Sequence, residues 1–341
     1  MSAGTETERT GAAAPRTASI IGTGMYVPER VMTNRDLEQI VDTSDEWIFS
    51  RTGMRERRIA AEDQATSDLA AEAAKAALAD AGVAAAEVDQ LITATLSPDM
   101  IFPSTACLVQ HRIGADRAAC FDLGAACSGF LYALEQARCS IASGAADTVL
   151  VIGAEKMSAF LDWEDRSTCV LFGDGAGAAV LRARDDRIGV GQAVLGADGA
   201  LAELLCVPAG GSRMPASEDT LRRRLHCLRM EGREVYKHAV GHMVESVYDV
   251  LRRHELDPDE IACFIPHQAN ARIIQAVGAR LNVEDRMFLD VERYGNTSAA
   301  ALAIALHEVV KSGTVSRGEL MVLVAFGGGF TWGANIVECT L

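Results

Sequence analysis

The chain has 341 residues, 49% of them hydrophobic and 23% charged, enough apolar material for one large domain or two ordinary ones. Its 32 basic residues against 47 acidic ones leave a net charge of −15, which argues against nucleic acid as a partner, because phosphate binding needs a basic surface. No apolar run reaches the ~18–20 residues of a membrane span, and nine cysteines without a CxxC pair argue against a disulfide framework or a structural zinc site.

Residues 1–16 are mainly Ala, Gly, Thr and Glu with no apolar centre, so they read as a disordered tail rather than a secretory signal, and the protein as cytoplasmic. Beyond them helix and strand alternate. Leu78-Ala79-Asp80-Ala81-Gly82-Val83 ends an amphipathic helix, Glu87-Val88 marks a short acidic loop, and Leu91-Ile92 begins a buried strand. Ala119-Cys120-Phe121-Asp122 precedes Cys127, and a helical pattern runs from there to Ser143-Gly144, where glycine suits a C-cap. Val149-Leu150-Val151-Ile152 then suits a central strand. Phe172-Gly173-Asp174-Gly175-Ala176-Gly177 imitates GxGxxG, but it opens onto Ala178-Ala179-Val180-Leu181, a strand and not a phosphate-cradling helix. No dinucleotide site is expected there.

The same order then returns. Leu251 to Leu256, Glu260-Ile261 and Phe264-Ile265 repeat helix, acidic loop and strand. Met287-Phe288-Leu289-Asp290 precedes Asn296, a helix runs to Ser312-Gly313, and Met321-Val322-Leu323-Val324 follows as a strand. The interval from Cys127 to Ser143 equals that from Asn296 to Ser312. The reading is an α/β architecture of two similar halves, 17–185 and 186–341.

Four places carry chemistry. Asp122-Leu123-Gly124-Ala125-Ala126-Cys127-Ser128-Gly129-Phe130 sets a thiol among small residues where a strand becomes a helix. There a substrate can approach the sulfur, and the helix N-terminus favours thiolate. A buried structural cysteine is the alternative. His267, in Pro266-His267-Gln268-Ala269-Asn270, follows a strand whose C-terminal end is where α/β sheets bind ligands; a satisfied strand-end histidine is its alternative. Asn296, in Tyr294-Gly295-Asn296-Thr297-Ser298, holds in the second half the place of Cys127 in the first, and taken alone it would be an N-cap. Gly327-Gly328-Gly329 lets backbone N–H groups turn toward a substrate carbonyl, as an oxyanion hole requires, or simply makes a tight loop.

Together these residues resemble β-ketoacyl-acyl carrier protein synthase III, a thiolase-like condensing enzyme family, over nearly all of residues 17–341. Ala125 to Phe130 is similar to its nucleophile motif, Pro266 to Asn270 to its histidine motif and Gly295 to Ser298 to its asparagine motif; Asp45-Glu46-Trp47-Ile48 with Arg51-Thr52-Gly53 is similar to its coenzyme A segment. The resemblance implies a five-layer αβαβα fold, a homodimer, and no metal or redox cofactor, coenzyme A thioester being a substrate. It implies that Cys127 takes an acyl group from acyl-CoA and condenses it with malonyl-acyl carrier protein, releasing carbon dioxide. It further implies catalytic roles for Cys127, His267 and Asn296, and an oxyanion hole from the amides of Cys127 and Gly328. Coenzyme A contacts would come from Trp47, Arg51, Arg166, Gly232 and Asn270, carrier-protein contacts from Gln268, Ala269, Asn270, Ala271 and Arg272, and acyl-pocket walls from Phe102 and Phe326. Without the resemblance, Trp47 would be a semi-buried tryptophan and Arg166 a surface partner of Asp165. Residues 221–253, with eight Lys or Arg against four Asp or Glu, would gather basic charge for an acidic carrier protein.

Three rivals remain. A papain-type cysteine hydrolase also runs Cys, His, Asn in chain order, but its C-G-[SA]-C-[WY] signature is absent here. A condensing relative that primes a polyketide or another acyl pathway would share every motif. A non-catalytic binding protein is disfavoured by three intact catalytic positions.

Overall fold

The computed structural model describes residues 16–184 and 186–341; the expected disordered tail, apart from Arg16, lies outside the described residues. The first half holds strands β1 (Thr17–Tyr26), β2 (Gln90–Ala94), β3 (Ala119–Leu123), β4 (Thr148–Lys156) and β5 (Asp174–Arg184). Its main helices are α1 (Asp45–Thr52), α2 (Thr66–Ala81), α3 (Thr105–Ile113) and α4 (Gly129–Ala142). In the second half β6 (Val194–Ala197), β7 (Ile261–Pro266), β8 (Leu320–Gly327) and β9 (Thr331–Glu338) form a sheet with α5 (Gly232–Arg253), α6 (Ala271–Leu281) and α7 (Ala299–Ser312).

The sheets repeat one plan. The first runs β1-β5-β4-β2-β3, with β4, β2 and β3 mutually parallel and β5 antiparallel to both neighbours. The second runs β6-β9-β8-β7, with β8 parallel to β7 and β9 antiparallel to both neighbours. Where β3 stands in the first sheet, Met287 makes one parallel bridge to Phe264 in the second. The segment matched to Ala119–Asp122 by sequence therefore occupies the matching edge, although too little of it pairs to count as a strand.

Both faces of both sheets are covered, which is why β4 and β8 read as unbroken apolar runs. Alanine-rich α2 lies outside the first sheet, in a cluster with Leu91, Leu150 and Val180. Amphipathic α5 and α6 lie outside the second, packing Val247, Val250 and Val277 against Phe264 and Val322. Between the sheets, α4 and α7 share one core in which Phe130, Leu134, Leu302 and Leu306 meet Ile92, Val151, Ile265 and Leu323. Five layers result. Each fully buried side chain of this kind contributes about 1.5–3 kcal/mol. The GxGxxG-like run enters strand β5, as expected, and its glycines serve packing: a Cβ at Gly177 would lie 2.6 Å from Ala303 Cβ in α7.

Candidate active site

Cys127 stands between β3 and α4, on a short turn over Ala126–Ser128. Ala126 adopts φ 45°, a left-handed conformation that a side chain disfavours, so the turn must be held by its surroundings. The holding comes from the other half. Ser128 Oγ donates to Thr331 O at 3.1 Å, and Thr331 Oγ1 donates to Ala125 O at 2.9 Å. Gly327 closes over the nucleophile, leaving no space for a side chain: a Cβ there would lie 2.6 Å from Cys127 N.

The expected lowering of the thiol pKa is not the net result. Burial pushes the Cys127 thiol up to about 11, opposed by the Ser298 hydroxyl, reinforced by the Glu155 charge, and opposed again by the amides of Cys127 and Gly328. A helix start acts with only about half an elementary charge, and desolvation outweighs it here. The two amides that address the sulfur are the pair expected for an oxyanion hole.

His267 follows β7, its backbone N–H donating to Val324 O at 2.8 Å in β8. Its ring is buried, and neither Nδ1 nor Nε2 has a hydrogen-bond partner among the described residues. Burial lowers its pKa to about 4, so at neutral pH the ring is uncharged, with one N–H donor unused. Asn296 is not an N-cap, because α7 begins three residues later, at Ala299. The Asn296 N–H donates to Leu171 O at 2.8 Å and its carbonyl accepts from Gly173 N at 3.1 Å, which clamps this loop of the second half onto the first. Asn296 Oδ1 accepts from Ser298 N at 2.9 Å, which fixes the amide orientation and leaves Nδ2 without a hydrogen-bond partner among the described residues. Cys127, His267 and Asn296 all line one cavity of about 360 Å³, together with Gly328, Gly232, Asn270 and Phe326.

Sequence reasoning missed two further groups. Ser298 lines the cavity, and its hydroxyl lies 3.5 Å from Cys127 Sγ. Glu155, at the end of β4, is fully buried and accepts from Ser298 Oγ at 3.2 Å. An acidic residue ending an apolar strand was the available signal. The cavity wall from Leu205, Met230, Val235 and Met243 was also missed, since isolated apolar residues carry no signature.

The remaining expected contacts divide. Trp47 is half-buried, with two guanidinium groups, those of Arg51 and Arg166, each 5.2 Å from its ring centroid. Arg166 is tied to Asp42, through its carbonyl at 2.9 Å and its carboxylate at 3.8 Å, and not to Asp165, whose carboxylate is taken by Ser167 and Thr168. Asn270 caps α6 and donates from Nδ2 to Arg51 O at 3.1 Å, joining the tryptophan segment to the cavity mouth.

Of the residues expected to meet a carrier protein, Gln268 and Ala271 are buried. Gln268 donates to Pro266 O and Phe288 O and accepts from the amides of Asp290 and Val291, so its polarity is consumed inside. Arg272 is exposed, and Ala269 and Asn270 are half-buried. Phe326 is a cavity wall, but Phe102 is 82% exposed and does not line this chain's cavity. Arg222, Arg223 and Arg224 are paired with Asp219, Asp162 and Glu164, so that run is locally neutralised. Among the described residues, no helix is long and apolar enough to cross a membrane.

A thiol on a strained turn, a neutral histidine and an oriented amide, delivered by matching places in two like halves, define a thiolase-like site. Comparison narrows the class. Residues 121–199 match the 3-oxoacyl-[acyl-carrier-protein (ACP)] synthase III family, and residues 251–339 match the C-terminal part of the same synthase. The β-ketoacyl-[acyl-carrier-protein] synthase III of Caldanaerobacter subterraneus subsp. tengcongensis is 51% identical over 322 residues, covering 94% of this chain and 97% of that one. The crystal structure of 3-oxoacyl-[acyl-carrier-protein] synthase III from Aquifex aeolicus VF5 superposes with a TM-score of 0.87 at 49% identity, covering 94% of this chain and 99% of that one. A priming β-ketosynthase from the R1128 polyketide biosynthetic pathway reaches a TM-score of 0.89 at 35% identity, covering 97% and 99%. The chain belongs to the β-ketoacyl-[acyl-carrier-protein] synthase III family.

Proposed function

We propose that this protein initiates fatty acid synthesis by condensing a short acyl-CoA with malonyl-acyl carrier protein, giving 3-oxoacyl-acyl carrier protein, coenzyme A and carbon dioxide. The observation that carries the reading is the convergence of Cys127, the unpartnered ring of His267 and the oriented amide of Asn296 on one cavity. Cys127 Sγ attacks the acyl thioester, and the amides of Cys127 and Gly328 receive the oxyanion where its charge develops. After coenzyme A leaves, the malonyl thioester carbonyl accepts hydrogen bonds from His267 and Asn296 Nδ2. Loss of carbon dioxide leaves an enolate on that oxygen, and its carbon attacks the acyl group on Cys127; the bond from that acyl carbon to Cys127 Sγ then breaks, and the sulfur takes up one proton from water to return to the thiol. Neutral donors suffice, which suits a histidine whose pKa burial has lowered. Decarboxylation supplies the electron pair for the new bond, so the reaction requires no metal or redox cofactor.

Coenzyme A is held at the cavity mouth, its adenine against Trp47 and the Arg51 and Arg166 guanidiniums, a planar cationic setting suited to a nucleobase. The acidic carrier protein meets Arg272 together with Arg233 and Lys237 of α5, all exposed. A second copy of the chain covers Met100-Ile101-Phe102, which are 46%, 85% and 82% exposed, and Phe102 then serves the partner's acyl pocket. The reaction runs in the cytoplasm, with both thioester substrates. Priming of a polyketide is the second reading, favoured by the likeness to the R1128 ketosynthase. The test supplies a panel of acyl-CoA starters with malonyl-acyl carrier protein and follows carbon dioxide and product mass. Short starters yielding 3-oxoacyl-carrier protein support the proposal; free acid without malonyl-carrier protein would instead indicate a hydrolase.

A further inference from the structure

Acyl transfer to Cys127 leaves one proton without a destination. Burial holds the nucleophile as a thiol, with its pKa up to about 11, and weakens His267 as a base, with its pKa down to about 4. Neither frees the sulfur at neutral pH. Cys127 Sγ, however, donates to Ser298 Oγ at 3.5 Å, and Ser298 Oγ donates to Glu155 Oε1 at 3.2 Å.

The far end of this chain fixes its direction. Glu155 also accepts from Ser97 Oγ at 2.5 Å, Thr95 Oγ1 at 3.1 Å and the amides of Leu96, Ser97 and Ala299. An ionised carboxylate only accepts. With Glu155 ionised, Ser298 gives its proton to Glu155, which leaves its oxygen lone pair toward the thiol. Ser298 is held for this task at φ 51° and ψ −120°, a left-handed conformation rare outside glycine, with its N–H on Asn296 Oδ1.

We infer that Glu155, acting through the Ser298 hydroxyl, takes up the Cys127 proton during acyl loading and returns it to the departing coenzyme A sulfur. This rests on the acyl-transfer reading above. As the bond from Sγ to the acyl carbon forms, the S–H bond breaks and its proton passes to Ser298 Oγ, while the Ser298 proton moves to Glu155 Oε1. Glu155 is then a neutral acid and the oxyanion lies on the two amides. When the bond from the acyl carbon to coenzyme A breaks, its electron pair leaves on that sulfur. The proton comes back through Ser298, giving coenzyme A thiol and an ionised Glu155. No outside acid or base is consumed. Glu155 is fully buried, and the Ser298 hydroxyl is the hydrogen-bonded link between it and the cavity.

The carboxyl suits the task. Burial raises its pKa to about 7, opposed first by the Ser97 hydroxyl, and a base poised near the operating pH is the most effective. The ionisable groups around it are otherwise engaged. Lys156, next in β4, turns its amine to the carbonyls of Ala61 and Gln64. Asp174 on β5 accepts from Ala60 N and Ser158, and His267, across the cavity, has no hydrogen bond to Glu155. Glu155 does not line the cavity, so it is a positioning and proton-holding residue, with Ser298 as the contact to the reacting sulfur.

The test compares Glu155→Gln, Glu155→Asp and Ser298→Ala with the unsubstituted protein. It measures acetyl loading from acetyl-CoA by quenched mass spectrometry, and Cys127 alkylation by iodoacetamide, from about pH 5 to about pH 9. Both rates in the unsubstituted protein should rise through a limb near pH 7. Glu155→Gln and Ser298→Ala should lose that limb and load roughly 10²-fold more slowly at neutral pH, while Glu155→Asp keeps a displaced limb. An unchanged limb in Glu155→Gln and Ser298→Ala, with the rate lowered equally at every pH, overturns the inference. If Glu155→Gln fails to fold, Ser298→Ala decides, since it leaves the other partners of Glu155 in place. If the unsubstituted protein takes no acetyl group but its alkylation limb depends on Glu155, the transferase reading fails and the proton path stands.

Discussion

Replacing Asn296 separates two things that one side chain does. Its Nδ2 is a donor for the malonyl thioester oxygen, and its Oδ1 anchors Ser298 N at 2.9 Å. In Asn296→Ala both are lost. Removing one oxyanion-type donor costs on the order of 10²–10³ in rate, or about 3–4 kcal/mol. Losing the anchor costs about 1 kcal/mol, a factor of roughly five, spread over folding and the placement of Ser298. Condensation should therefore fall by about 10²–10³, while acyl loading of Cys127 falls by no more than about tenfold.

Asn296→Asp tells the two functions apart. Its carboxylate still accepts from Ser298 N but offers no donor and opposes a developing enolate. Loading should recover to nearly the unsubstituted rate, while condensation stays at least as low as in Asn296→Ala. The assay follows acyl-enzyme formation by quenched mass spectrometry and carbon dioxide release from malonyl-acyl carrier protein on the same preparations. If Asn296→Ala lost loading and condensation equally, and Asn296→Asp restored both, Asn296 would be only an anchor and the division of labour would be wrong.

Gly327→Ala would set a methyl 2.6 Å from Cys127 N and 3.0 Å from its Cβ, displacing the nucleophile. Loading should fall by about 10²-fold, as for other misplacements near 1 Å, and acyl-enzyme at the normal rate would show that this loop is not where the sulfur is positioned. Arg272→Glu should raise the apparent KM for malonyl-acyl carrier protein and leave acyl-CoA loading almost unchanged; equal losses in both would count against docking at that exposed residue. Asp290 is buried, its Oδ2 has no partner among the described residues, and burial, with Glu308 adding and Arg293 opposing, lifts its pKa to about 7. The folded state thus holds this proton more tightly than the unfolded chain, so stability is full below about pH 4 and is lost as pH rises toward 7. Asp290→Asn should raise stability at pH 8 by at most about 4 kcal/mol, read as a higher melting temperature, and do little at pH 4. A gain of equal size at both pH values would mean that the charge is not the cause.

The duplication was legible because both halves place small residues and strand ends at matching intervals, and Cys127, His267 and Asn296 follow from those positions. Glu155 was not, since its partners Thr95, Ser97 and Ser298 come from segments far apart in the chain. Gln268 misled because residue type does not reveal burial: its amide is used up by carbonyls two and twenty residues away. The thiol pKa misled for a similar reason. A helix start is visible in sequence, but the burial that outweighs it is a property of the closed site. Phe102 reads as a pocket residue by resemblance, yet it faces outward on its own chain.

Everything above requires that Cys127 alone, among nine thiols, carries the acyl group. The direct measurement exposes the protein to acetyl-CoA, quenches in acid, digests, and maps the acetyl group by peptide mass spectrometry, with Cys127→Ala in parallel. One acetylated peptide, carrying Cys127, and no acetylation in the variant are expected. An acetyl group on Cys107, Cys169 or any other thiol, or a Cys127→Ala protein that still loads, would contradict it.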